Sequence, residues 1–184
     1  MRVSKEKAAE NREKILDEAA RLFRERGLLG VGVDELTEAA GLSYGSLYSH
    51  FGSKDGLVAE AVRHASADFA LRMKDKKSWG AFLAQYLSPE HRDHPGQGCS
   101  VATLACDMRG QSKSVRRAFT ENVKGALERI GARMVPGEKR AREDDILVAV
   151  STLVGAMVMA RGVDDPVLSD RILAAAKARL RAAG

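Results

Sequence analysis

The chain has 184 residues, 45% of them hydrophobic and 30% charged, with a formal net charge of +5; that length allows one sizeable core or a small headpiece fused to a larger body. Two cysteines, Cys99 and Cys106, exclude a disulfide framework and supply no complete metal set. No apolar segment of signal-peptide type is expected at the start, and the longest nearly apolar run, Ile146 to Ala160, falls short of the roughly 18 to 20 residues that span a bilayer, so a soluble cytoplasmic protein without a cofactor is expected.

Helical periodicity runs through most of the chain. A first helix is predicted over about Lys5 to Arg26, with Ile15, Ala19, Leu22 and Phe23 as its apolar stripe, Gly27 as its stop, and Arg24 and Arg26 well placed in the last turn. Val33, Leu36, Ala39 and Ala40 then recur at helical spacing until Gly41, the residue best able to take the left-handed conformation that ends a helix. Leu42 falls in the turn, and Ser43 can cap a second short helix running through His50, with Leu47 and Phe51 buried. The outward residues of that helix, Tyr44, Gly45, Ser46, Tyr48, Ser49 and His50, are small, hydroxylic or aromatic and include no carboxylate. A helix N-terminus offers free amides to phosphate, while Ser, Tyr and His can bond phosphate oxygens or base edges, so this surface suits a DNA major groove; Lys54 adds a charge just beyond.

Ser53 caps the next helix, where Leu57, Val58, Ala61, Val62, Ala65 and Phe69 recur through about Met73. It leaves the headpiece and enters the body, which makes it the mechanical link between the two. Lys74 to Lys77 break the pattern. Ser78 then opens a helix rich in large side chains, Trp79, Phe82, Leu83, Tyr86 and Leu87, which Pro89 stops, and PEHRDHPGQG reads as a loop. A short helix from Cys99 to about Met108 and a longer one from about Lys113 to Met134, ended by Pro136-Gly137, follow. Ile146 to Ala160 is apolar around most of its circumference and needs burial on more than one side. Asp165 caps a last helix with Pro166 in the tolerated first position and a stripe of Leu168, Ile172, Leu173, Ala176 and Leu180.

Gly41-Leu42-Ser43, Leu47-Tyr48, His50-Phe51, Ser53-Lys54-Asp55 and Leu57 occur in an order and spacing that resembles the DNA-binding headpiece of the tetracycline-repressor-like (TetR) transcriptional regulators, over residues 11 to 60. One departure is Gly32, where many members carry a Ser or Thr that caps the second helix and touches phosphate. The resemblance implies an all-α fold of about nine helices, divided into a three-helix helix-turn-helix headpiece (1–52) and a helical effector-binding and dimerisation domain (53–184). It implies a homodimer built on the closing helix pair, with Leu153, Met157, Leu168, Ile172 and Ala176 at the interface. Double-stranded DNA with a palindromic operator, and repression relieved by a small-molecule effector, are further implications. Base contacts fall to Tyr44, Gly45 and Ser46, phosphate contacts to Tyr48, His50 and Lys54, and Ser43 completes the set. Trp79, Phe82, Tyr86, Cys106, Phe119 and Met157 are candidate pocket residues, although aromatic and Met side chains at helical spacing also build ordinary cores.

Charge alone does not single out the headpiece. Residues 1 to 64 carry ten Lys and Arg against eleven Asp and Glu, a net of −1; placement matters more, with Arg2, Lys5 and Lys7 forming a basic arm near the phosphates. Arg109, Lys113, Arg116, Arg117 and Lys124 read as a solvated face. Cys99 and Cys106 are seven apart, on one face of a continuous helix but about 10 Å apart along its axis, too far for an unstrained disulfide. A thiol-based redox or electrophile-sensing regulator is an alternative reading, with Cys99 favoured by a helix N-terminus. A helical ligand-binding or interaction protein without specific DNA binding is another. His91 and His94, with one HxxH and no fixed further ligand, are weak evidence for a metal, and no catalytic motif stands in its expected context, so no enzyme is expected.

Overall fold

The computed structural model describes residues 5–135 and 141–182, and all regular structure among them is helical. The headpiece contains α1 (Lys5–Arg26), α2 (Val33–Ala40) and α3 (Tyr44–Phe51), and α4 (Lys54–Arg72) runs from it into a body made of α5 (Trp79–Tyr86), α6 (Pro89–Asp93), α7 (Ser100–Leu104), α8 (Lys113–Met134), α9 (Glu143–Gly162) and α10 (Pro166–Arg181). Four boundaries follow from side-chain caps that the sequence announces. Ser43, Ser53 and Ser78 accept from the amides of Ser46, Gly56 and Ala81, at 3.3, 3.0 and 3.2 Å, and Asp165 accepts from Val167 and Leu168.

Two segments differ from expectation. The stretch read as a loop holds α6 and a 3-10 turn, Pro95–Gln97, because Ser88 caps α6 with Pro89 at its first position, where a missing amide costs nothing. Pro89 therefore starts a helix as well as ending one. The stretch read as one helix from Cys99 to Met108 is α7 followed by a 3-10 segment, Ala105–Gly110. That break alters the cysteine geometry, since Cys99 is buried and Cys106 exposed. Pro136-Gly137 and Arg2 lie outside the described residues. Lys5 and Lys7 are the opening of α1, with the Lys7 ammonium 3.0 Å from Glu10, so they belong to a helix and not to an extended arm.

Two apolar cores share the chain. The first joins Ile15, Leu16 and Phe23 of α1 with Leu36, Leu47 and Leu57, and it continues into Leu104, Met108 and Val115 of the body. The second joins Trp79, Phe82 and Tyr86 with Ile130, Leu153 and Leu173. Phe119 packs against both. α4 lies along α8 and also against α1 and α3, so it touches the reading helix at one end and the body at the other. α9 is 20 residues long, three acids longer at its start than its apolar run, and by length and composition it is the one described helix that could cross a membrane. In the fold it packs against α7, α8 and α10.

Candidate DNA interface and body cavity

The helix-turn-helix is built from short-range rules. Gly41 ends α2 at φ +64°, the left-handed conformation, and its amide and that of Leu42 return to Glu38 and Thr37 carbonyls. Leu42 and the fully buried Leu36 and Leu47 then hold α3 against α1 and α2. This leaves Tyr44, Gly45, Tyr48 and Ser49 exposed and Ser46 and His50 half-buried. The rings of Tyr44 and Tyr48, one turn apart, stack at 5.5 Å with planes 25° apart, which fixes two phenols side by side on the open face. Lys54, at the start of α4, is exposed with its ammonium 3.4 Å from the Val31 carbonyl. Gly32 is the α2 N-cap and has no side chain to close it.

A Cβ at Gly45 would meet only the Ser43 hydroxyl, at 4.0 Å, so the fold itself does not require glycine there. Gly45→Ala is expected to raise the unfolding free energy by about 0.5–1 kcal/mol, the usual gain of alanine over glycine inside a helix. If α3 lies against DNA, the same change weakens operator binding by filling the space for close approach. Thermal denaturation beside DNA titration separates the two effects; unchanged DNA affinity would remove Gly45 from the interface.

Many of the headpiece carboxylates are neutralised by pairing away from α3. Arg21 bridges Glu18 and Glu25 at 2.7 and 2.8 Å, His64 meets Asp17 at 2.7 Å, Arg12 pairs with Glu60, and Arg26 with Glu35. These carboxylates lie on α1, α2 and α4, whereas α3 carries none.

In the body a cavity of about 40 Å³ lies between α4, α5, α8 and α9. Its lining includes two of the expected residues, Phe82 and Tyr86, with Phe69, Cys99, Arg129 and Arg133. Trp79, Cys106, Phe119 and Met157 are not in it: Trp79 is buried in the second core with its indole N–H donating to the Leu180 carbonyl at 3.0 Å, Cys106 is exposed on the 3-10 segment, Phe119 packs between the cores, and Met157 is fully buried. Sequence periodicity missed Arg129 and Arg133; their spacing of four, on the face of α8 that also carries Ile130, was the available signal.

Behind the lining residues Tyr86 and Cys99 lies a buried polar cluster. The His91 Nδ1–H donates to the Tyr86 carbonyl at 2.7 Å and its Nε2 accepts from the Cys99 amide at 3.0 Å, while the ring stacks on Phe69. Accepting through Nε2 requires the neutral ring, and burial pushes the pKa down to about 4. His91 is thus a structural bracket, and among the described residues no group of three or more metal-ligating side chains gathers. Arg161 donates to the His91 and Arg92 carbonyls at 2.6 and 3.0 Å, leaving its Nη1 buried without a partner. The Tyr86 hydroxyl is likewise buried and unpartnered.

The outer side of the closing pair is apolar. Leu147, Val148, Val158 and Met159 of α9 and Val167 and Leu168 of α10 are exposed, the most open being Val167 at 69%. Of the expected interface residues, Leu168 is exposed and Ile172 and Ala176 are half-buried. Leu153 and Met157 face inward at 1% and 0% exposure, held by the protomer's own core, and have no surface to offer a partner. The helix satisfies its two-sided hydrophobicity with one face in that core and the other open.

A glycine-turned helix pair that presents a carboxylate-free second helix, carried on an all-α body, defines a helix-turn-helix DNA-binding regulator. Residues 15–61 match the family model of bacterial regulatory proteins, tetR family. The HTH-type transcriptional regulator LmrA of Bacillus subtilis is 30% identical over 161 residues, 81% of this chain and 82% of that protein. The HTH-type transcriptional repressor KstR2 of Rhodococcus jostii is 50% identical over 52 residues, covering 28% of this chain and 26% of that one. Among solved structures, E. coli NemR in its reduced form shares the fold with a TM-score of 0.77 at 21% identity, over 93% of this chain and 95% of that one. The chain belongs to the tetR family and is a DNA-binding transcriptional regulator.

Proposed function

We propose that the protein is a cytoplasmic homodimeric repressor of a palindromic operator, released by a small molecule that enters the body cavity. The observation that carries the proposal is the exposed, carboxylate-free face of α3 with its stacked Tyr44–Tyr48 pair. Tyr44, Gly45 and Ser46 read base edges, while Ser43, Tyr48, His50 and Lys54 hold phosphates. Residues 1–52 act as the DNA-binding unit and 53–184 as the effector-binding and dimerisation unit. The partner covers the exposed apolar faces of α9 and α10, where Gly155, with nothing within 4 Å of a Cβ built on it, leaves room for close approach. Two-fold symmetry then sets the two α3 helices about 34–36 Å apart, one DNA turn. A ligand that lowers operator affinity 100-fold must prefer the non-binding geometry by about 2.7 kcal/mol.

The test is selection of bound sites from random duplex DNA. A palindrome is expected, bound with steep salt dependence, and weakened about 10-fold by Lys54→Ala and by Tyr48→Ala, as for loss of a contact of about 0.7 kcal/mol in each of the two half-sites. Absence of any enriched sequence from a folded dimer at low salt would instead favour a helical ligand-binding protein that has lost specific DNA binding.

A further inference from the structure

We infer that the ligand of the body cavity is an organic carboxylate on an apolar body, an inference that rests on reading this cavity as the effector site. The walls supplied by Phe69, Met73, Phe82, Ile130 and Leu153 are apolar, yet two guanidinium groups, Arg129 and Arg133, stand among them. Among the described residues neither has an ion-pair partner. Arg133 donates to the carbonyls of Lys76, Arg129 and Met73 at 3.0, 2.8 and 3.3 Å, and Arg129 has one long bond, 3.4 Å, to the Ser66 hydroxyl. Two neighbouring, half-buried cations, satisfied by neutral oxygens and, for Arg133, by the face of the Phe82 ring 5.3 Å away, with no carboxylate paired to them among the described residues, are an electrostatic vacancy for an anion, and the fork of a guanidinium fits a carboxylate.

Two further observations point the same way. The Tyr86 hydroxyl belongs to the cavity wall, is buried, and has no protein partner, so a donor waits there for an acceptor. Behind it, Arg161 adds a third half-buried positive charge, whose Nη1 is buried and unpartnered.

The space of about 40 Å³ is large enough for water but not for a drug-sized molecule, so binding must open it. Phe69 and Met73 are also walls of an open groove of about 420 Å³ that runs past Arg72, Lys76 and His94, and turning them aside joins the two spaces. Both residues belong to the C-terminal end of α4, and Arg133 holds that end through the Met73 carbonyl. A carboxylate that draws Arg133 away releases the helix that supports α3.

The experiment uses the full-length dimer and two probe pairs, 2-naphthoate with 2-naphthamide and decanoate with decanamide, measured by calorimetry and by release of labelled operator DNA. At least one acid is expected to bind 10-fold or more tightly than its amide. Arg129→Gln should remove that preference, Arg129→Lys should keep most of it, and Tyr86→Phe should weaken the acid severalfold. Equal binding of acid and amide, a preference that survives both Arg129→Gln and Arg133→Gln, or no binding of either acid at millimolar concentration would overturn the inference. Amides that release DNA as well as acids would overturn the anion requirement while leaving the effector site standing. Acids that bind through Arg129 without changing DNA affinity would uphold the anion site and remove its role in repression.

Discussion

Replacing Arg24 by methionine is expected to lower the unfolding free energy by about 3 kcal/mol and to lower the melting temperature by about 6–10 °C. Arg24 is 5% exposed at the end of α1, in the last turn where the sequence places it. Its Nε donates to the Ala20 carbonyl at 3.0 Å, Nη1 lies 3.4 Å from the carbonyls of both Ala65 and Gly98, and Nη2 meets Asp68 at 3.1 Å. Burial lowers its pKa and the Asp68 hydrogen bond opposes that shift. Methionine fills the stem but leaves the carbonyls and the carboxylate without their donor. Asp68 keeps a 3.0 Å bond from Arg72 and is partly exposed, which places the loss at the lower end of the range for broken buried ion pairs.

The same residue joins α1 to the cavity. Gly98 accepts from Arg24, and its neighbour Cys99 lines the cavity, so Arg24→Met should leave ligand binding intact while reducing the release of DNA that binding causes. Denaturant unfolding and a DNA-release titration read the two effects. A stability change below about 1 kcal/mol would show that the buried guanidinium contributes little.

Acidification should destabilise the fold through His91. The folded ring has a pKa of about 4 against 6.5 for an ordinary histidine, so between those values the unfolded chain binds a proton that the native state refuses. Its stabilising effect is complete above pH 6.5 and is lost as pH falls toward 4, amounting to about 2 kcal/mol by pH 5 and about 3 kcal/mol overall. In geometric terms, a proton on Nε2 displaces the bond from the Cys99 amide and unseats one wall of the cavity. His91→Gln starts from a lower stability but should lack this component. Unfolding free energies of both proteins at pH 7 and pH 5 test it; equal losses in the two would assign the acid sensitivity to carboxylates elsewhere.

The headpiece was legible in the sequence because its determinants are local. Gly41, Ser43, Ser53 and the Leu36–Leu47 spacing act within a turn or two, and each takes the conformation its chemistry favours. The body was legible as helices, less so as a site. Phe82 and Tyr86 reach the cavity, but the register that turns Met157 and Leu153 into the protomer core is decided by α8 and α10 packing on α9. The burial of Arg24 and His91 was not legible: the sequence placed Arg24 in the last turn of α1 and His91 in a loop, and the partners that make their burial tolerable lie 41 to 74 residues away for Arg24, and 8 away for His91. The break at Ala105 also has a distant partner, since Asp107 accepts from the Leu28 amide of the headpiece at 2.8 Å.

The most direct measurement is the affinity of the dimer for the selected palindrome before and after five base pairs are inserted between its half-sites. The insertion turns one half-site about half a helical turn away from the other. Two α3 helices held by the α9–α10 faces of a rigid dimer cannot follow it, and affinity should fall at least 100-fold at fixed salt, with Arg2 to Lys7 and all other sequences unchanged. Retention of affinity within a few-fold would contradict paired reading by a two-fold dimer.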